Sequence, residues 1–286
     1  MRYLYFPGCS LKGSGKAYEE SFLAVSRALE MDIRELDDWN CCGATAYMSV
    51  DEKKSYALAG RNLAIAEREN LDVLAPCSAC YLVLNKTQKA LKEHQDLRRK
   101  VVNALKAGGL DYKGTVKVRH PLDVLVNDVG LDKIAARIRK PLKGLKLAAY
   151  YGCQIVRPYA TFDDQHDPVT MDKIMEAAGA ECVTWPLKTH CCGGSLTGTV
   201  PEAGLRLAYN LLREAKKRGA GAIVTLCPLC QFNLDGYQDQ IARKFGRVDM
   251  PVLYFTQVLG LAMGLPQSAL GIKRGIISAE AVLAGR

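Results

Sequence analysis

Cys9, then Cys41-Cys42-Gly43, then Cys77-Ser78-Ala79-Cys80: this frame returns as Cys153, then Cys191-Cys192-Gly193, then Cys227-Pro228-Leu229-Cys230. In both frames 34 residues separate the cysteine pair from the C-x-x-C, and 31 and 37 residues separate the lone cysteine from the pair. Ten of the eleven cysteines are placed this way. Ten cysteines in two matching registers mark a duplicated metal-binding unit.

A chain of 286 residues is long enough for two domains of about 150 residues each. The repeat divides it the same way, into a first domain over 1–140 and a second over 145–286. The stretch Arg137–Gly144, with Pro141, reads as the linker. Apolar residues make up 49% and charged residues 24%, ordinary for a globular protein. No apolar run reaches the length of a membrane span, and the short apolar run at Tyr3–Phe6 reads as a buried strand rather than a signal peptide. A cytoplasmic chain is expected, with reduced thiols available for metal or redox chemistry. The formal charge is +9 with every cysteine counted neutral. Ten thiolates on two doubly charged clusters would lower it by about six. No aromatic-basic stripe accompanies the charge, so nucleic-acid binding is not expected.

Apolar runs alternate with amphipathic ones, the pattern of an α/β fold with mostly parallel strands. Strands are predicted at Tyr3–Phe6, Ile33–Asp37, Leu71–Ala75 and Thr115–Val118, then at Lys146–Tyr150, Cys182–Trp185, Ala222–Leu226 and Val252–Phe255. Tyr18, Phe22, Val25 and Leu29 share one helical face. Ser49-Val50-Asp51-Glu52 has the form of a capping box for a helix to about Glu69. Tyr81–Lys106 reads as one long helix ended by Gly108-Gly109. Each cysteine group is expected directly after a strand, so the thiols of each half meet at strand carboxyl ends. The helix after each C-x-x-C would aim its free N–H groups at them.

Several chemistries compete for five thiols. Structural zinc takes four ligands, commonly as two separated pairs, and adjacent cysteines suit one tetrahedral ion poorly. A redox dithiol uses the C-x-x-C and leaves three cysteines idle. An iron–sulfur cluster uses all five, although a cubane needs only four. Cys182 lies outside both frames and reads as core packing. His190, directly before the second pair, is a candidate proton donor. Lys188, Arg157, His120 and Arg119 read as solvated charges. Gly13-Ser14-Gly15-Lys16 lacks phosphate-loop spacing and reads as a turn before the first helix.

The two frames resemble the signature of the CCG family of iron–sulfur proteins, most closely its members among the B subunits of heterodisulfide reductase. Tyr112–His120 and Leu259–Gly264 share that likeness. The resemblance implies two CCG domains related by pseudo-twofold symmetry. It implies two noncubane 4Fe-4S clusters, the first on Cys9, Cys41, Cys42, Cys77 and Cys80, the second on Cys153, Cys191, Cys192, Cys227 and Cys230. It also implies reduction of a small-molecule disulfide, or oxidation of a dithiol, by one-electron steps. The partners would be a small ferredoxin-like iron–sulfur subunit and a flavin-containing subunit. The rival is an electron relay in another oxidoreductase complex, without substrate contact.

Overall fold

The computed structural model describes residues 1–44 and 46–284. All eight expected strands form: β1 (Arg2–Tyr5), β2 (Asp32–Glu35), β3 (Val73–Leu74), β4 (Val118–Arg119), β5 (Lys146–Tyr150), β6 (Glu181–Cys182), β7 (Ala222–Thr225) and β8 (Val252–Tyr254). They make two four-stranded sheets, ordered β2-β1-β3-β4 and β6-β5-β7-β8. Every pairing is parallel. The same order in both sheets bears out a duplicated α/β fold.

The central strands are apolar because both of their faces are covered. All four residues of β7 are buried, and in register Leu147 faces Ala222 while Tyr150 faces Thr225. The edge strand β2 reads Asp-Ile-Arg-Glu and is largely exposed. Its charges blunt the edge, and Asp32 accepts from Arg2 Nε at 2.6 Å.

Two strands are displaced from their expected bounds for a traceable reason. Thr115–Val118 is the expected stretch, yet β4 begins at Val118. The Glu67 carboxylate takes the backbone N–H groups of Lys113, Gly114 and Thr115, and Asp72 takes that of Lys117. Those donors are therefore satisfied outside a ladder. In the second sheet β6 stops at Cys182. Val183 adds one further backbone bond to Leu147 O, and Trp185 donates its indole N–H to Ala149 O at 3.0 Å.

Two helix readings need correction. Ser49 lies in the short helix Ala46–Val50, and the cap of Glu52–Glu69 is Asp51. The Asp51 carboxylate accepts from Lys54 N at 3.1 Å, and Asn70 ends the helix in the left-handed conformation, φ 50°. The expected helix Tyr81–Lys106 is two helices, Ser78–Glu93 and Gln95–Ala107. They part at His94, whose backbone is extended (φ −119°, ψ 95°).

The chain divides into two compact units. One holds Met1–Lys12 with Met31–Pro121, and the other holds Gly13–Glu30 with Leu122–Arg286. Residues 13–30 and 122–140 therefore group with the second unit, whereas the sequence repeat counts them with the first. Helix Lys16–Ala28 packs there on helix Phe255–Ala262. Tyr18 stacks on Tyr254 with centroids 4.5 Å apart, and Ser21 Oγ lies 2.6 Å from Thr256 Oγ1. Among the described residues, no helix is long and apolar enough to cross a membrane.

Replacing Asp51 with alanine removes an N-cap, which is typically worth about 1 kcal/mol. Urea denaturation of the full chain is expected to show a loss of that order, with the fold retained.

Candidate metal centre

In the first half the sulfurs are brought together by three chain reversals. Cys9 sits in the short helix Gly8–Lys12 that follows β1. Gly8 before it has φ +62°, and a Cβ there would stand 2.9 Å from Cys80 Sγ. Glycine is needed because another side chain would occupy the sulfur's space. Cys77 is the N-cap of helix Ser78–Glu93, and Cys80 follows one turn later. Cys42 Sγ and Cys80 Sγ are 3.2 Å apart. Cys41 interacts with Cys9 and Cys42, and Cys77 with Cys80, so all five thiols form one group.

The pair Cys41-Cys42 does not follow its strand directly. It lies in a loop beyond β2, fastened by the helix Glu52–Glu69. Asn62 accepts from Asn40 N at 2.9 Å and donates to Asn40 O at 3.0 Å. Ser55 Oγ donates to Gly43 O at 2.9 Å. Ser55 and Asn62 are seven residues apart, two helical turns on one face. That spacing is readable in the sequence, but the cysteine pattern by itself does not point to it.

The second half repeats the arrangement with different fastenings. Gly152, φ +70°, precedes Cys153, and a Cβ there would stand 3.2 Å from Cys230 Sγ. Cys227 is the N-cap of helix Pro228–Gly236. Cys192 Sγ lies 3.4 Å from Cys230 Sγ, and Cys153, Cys191 and Cys227 join the same group. The pair Cys191-Cys192 again lies well past its strand, β6. Tyr150 OH donates to His190 O at 2.7 Å. Asn233, fully buried, donates to Gly194 O at 2.9 Å and lies 3.5 Å from Cys192 Sγ.

Mutual hydrogen bonding spreads the thiols' acidities. The bond from Cys41 first, then that from Cys80, holds Cys42 down to about 4. In the second half the bond from Cys153 first, then that from Cys192, holds Cys191 down to about 2. Cys41 and Cys153 are pushed up by the same pairings and by burial. Each group thus favours a thiolate, the form that binds metal.

Residues expected to be solvated charges behave otherwise. His120 is buried, with Nε2 2.8 Å from Pro76 O, beside Cys77. Lys188 is buried between Asp172 (3.0 Å) and Asp167 (3.2 Å), and Tyr151 OH donates to Asp172 at 2.6 Å. Arg157 donates to Thr189 O. Lys188, Tyr151 and Arg157 thus fasten the stretches around Cys153 and Cys191, and His120 the one that leads to Cys77. His190 is exposed. Cys182 is half-buried and apart from both groups, its Sγ 3.9 Å from Asp172 O. Burial is the first cause that pushes its thiol up.

Among the described residues, no group of three or more His, Cys, Asp or Glu is arranged to hold one metal ion. The donor set, five thiols with paired glycines that open backbone room at Cys80 and Cys230, fits an iron–sulfur cluster in number and chemistry.

The chain matches the CCG family, described as a cysteine-rich domain, over residues 3–85 and 147–235. It is 34% identical over 282 residues to the 8-methylmenaquinol:fumarate reductase membrane anchor subunit of Wolinella succinogenes, covering 97% of each chain. It is 33% identical over 279 residues to the B subunit of the ferredoxin/F(420)H(2)-dependent CoB-CoM heterodisulfide reductase of Methanosarcina acetivorans, covering 95% of this chain and 92% of that one. A protein of Archaeoglobus profundus, described as like the heterodisulfide reductase B subunit, is 33% identical over 95% of this chain and 94% of its own. A crystal structure of a hypothetical protein from Helicobacter pylori has the same fold, with a TM-score of 0.76 at 12% identity. It covers 97% of this chain, which spans 52% of that one.

Gly193→Ala is expected to be the most damaging of the CCG glycine substitutions. Its φ is +99°, and the new Cβ would lie 3.0 Å from Gly204 Cα and O, which are backbone atoms and cannot swing away. At Gly43 the close neighbour is the Ser55 hydroxyl, which can rotate. Thermal unfolding should show a larger drop for Gly193→Ala than for Gly43→Ala. Gly198→Ala, with open space around it, should leave the transition near its original temperature.

Proposed function

The chain belongs to the CCG, or cysteine-rich domain, family, and on that premise we propose that it is the catalytic iron–sulfur subunit of a heterodisulfide-reductase-type complex. The observation that carries this reading is the presence of two complete five-thiol groups, neither missing a member. In it, Cys9, Cys41, Cys42, Cys77 and Cys80 hold one noncubane 4Fe-4S cluster. Cys153, Cys191, Cys192, Cys227 and Cys230 hold the other. When bound, the two clusters supply one electron each to a disulfide whose cleavage takes two.

The protein's own groups have the remaining tasks. Cleavage of R–S–S–R′ to two thiols consumes two electrons and two protons. His190, exposed beside Cys191, donates one of the protons in this reading and solvent water the other, with the His190 backbone held by Tyr150 OH at 2.7 Å. Gly8 and Gly152 keep side chains away from Cys80 and Cys230. Electrons reach the chain from a small ferredoxin-like subunit fed by a flavin-containing subunit, and the complex works in the cytoplasm. The likeness to the B subunits of heterodisulfide reductases supports the assignment.

A second reading has an observation of its own. The likeness to a menaquinol:fumarate reductase anchor subunit covers both chains almost end to end. It supports a relay role, in which the chain passes electrons and binds no disulfide.

Protein isolated without oxygen should contain about eight irons and eight sulfides per chain, from two four-iron sites. Two zinc ions with little iron would end the cluster reading. Cys182→Ala should leave the iron content unchanged, whereas Cys42→Ala or Cys192→Ala should remove the iron of its own half. Candidate disulfides are then added to the reduced protein while both sites are followed by electron paramagnetic resonance. Changes at both sites support the catalytic reading. Undisturbed spectra, with electron transfer to a partner protein intact, establish the relay.

A further inference from the structure

The two cysteine frames can be superposed residue by residue from Cys41 to Cys80 and from Cys191 to Cys230. The backbone donors to the pair match: Gly43 N and Gly193 N serve the first cysteine, and Ala44 N and Gly194 N the second. The side chains do not match. One turn after Cys80 stands Val83, buried and aliphatic. One turn after Cys230 stands Asn233.

Asn233 is placed as a donor. The Gly194 carbonyl, which can only accept, lies 2.9 Å from Nδ2 and fixes which way round the amide lies, with Oδ1 3.0 Å from the Thr197 hydroxyl. Nδ2 then has two hydrogens to give. One goes to Gly194 O at 2.9 Å. The other is aimed at Cys192, 3.5 Å from Sγ and 3.4 Å from its carbonyl. Valine at the matching position has nothing to donate.

We infer that Asn233 sets the second-half cluster at a higher reduction potential than the first-half cluster, so that a single electron on the chain rests in the second half. This rests on the two-cluster reading above. Hydrogen bonds to ligand sulfurs stabilise the more negative, reduced cluster and raise its potential. Tyr150 matches Phe6 and is a weaker candidate. Its hydroxyl hydrogen goes to His190 O, and Cys230 Sγ is 4.0 Å away. Charge at the position three before each pair does not produce the difference. Asp38 is balanced by Arg61, whereas Lys188 sits between two aspartates, which leaves one net negative charge beside the second pair and opposes the effect. Burial opposes the effect, since Cys153 is half-buried where Cys9 is exposed. It acts at the outer cysteine, however, whereas Asn233 acts at the buried Cys192.

The test is a redox titration of the full chain, with the subunits that accompany it, followed by electron paramagnetic resonance. Dithionite and ferricyanide set the potential. Cys42→Ser and Cys192→Ser, each lacking one half's ligand, assign the signals. The second-half midpoint should lie above the first. Asn233→Val should lower it by about 59 mV, a tenfold change in the reduced-to-oxidised ratio of a one-electron couple, and leave the first-half midpoint in place. An unchanged second-half midpoint in Asn233→Val, with iron retained, overturns the inference. If that variant loses its second-half iron, the wild type decides, and a second-half midpoint at or below the first overturns it. Absence of iron from the wild type defeats the cluster reading itself, which iron analysis reports separately from any potential.

Discussion

The close approach of a backbone to a sulfur governs each half of this protein. Gly8 and Gly152 stand directly before the lone cysteines, and each lies against the last cysteine of its own frame. An added methyl group would meet that sulfur at 2.9 Å in one half and 3.2 Å in the other. The lone cysteine and the C-x-x-C can therefore share one place only if the residue between strand and cysteine has no side chain. The parallel order of each sheet supplies the rest of the convergence. β1 lies beside β3, and β5 beside β7, so the two chain segments emerge as neighbours at the same edge.

Much of this is legible in the residues. All eight strands fall within a few positions of where the sequence predicts them, because buried parallel strands are short apolar runs bounded by polar residues, as Lys146–Tyr150 shows. The cysteine groups are legible for a different reason, the duplication itself. What the sequence does not announce are local events decided by side chains distant along the chain. Glu67 takes the backbone donors of Lys113–Thr115, and no periodicity near residue 115 signals it. The helix break at His94 carries neither proline nor glycine. Asp51 outcompetes Ser49 as a cap although both are capping types. Lys188 and His120 mislead because a charged residue type suggests solvent, and only the folded chain shows the aspartates and the carbonyl that receive them.

The two halves solve one problem with different residues. In the first, Asn62 and Ser55, on the helix after the pair, hold the Cys41–Gly43 loop. The matching positions in the second half are Leu212 and Leu205. There the holding passes to Asn233 on the helix after the C-x-x-C and to Tyr150 at the end of β5. A duplicated site need only keep its sulfurs in place, so the polar clamp is free to move to another helix. The move changes the surroundings of the sulfurs, since Asn62 bonds the backbone of Asn40 and Leu58 while Asn233 also reaches the Cys192 sulfur.

The grouping of residues 13–30 with the second unit has a consequence for how the chain can be divided. The polypeptide leaves the first unit after Lys12, returns at Met31 and leaves again after Pro121. Three covalent crossings join what the repeat presents as two successive halves. One protease nick at any of them leaves both units still tethered. A gene split at the apparent linker near Pro141 would send helix Lys16–Ala28 away with the wrong fragment, and strip Tyr254 and Thr256 of the aromatic and hydroxyl partners they have in the intact chain. Two separately encoded halves would have to redraw that border before either could stand alone.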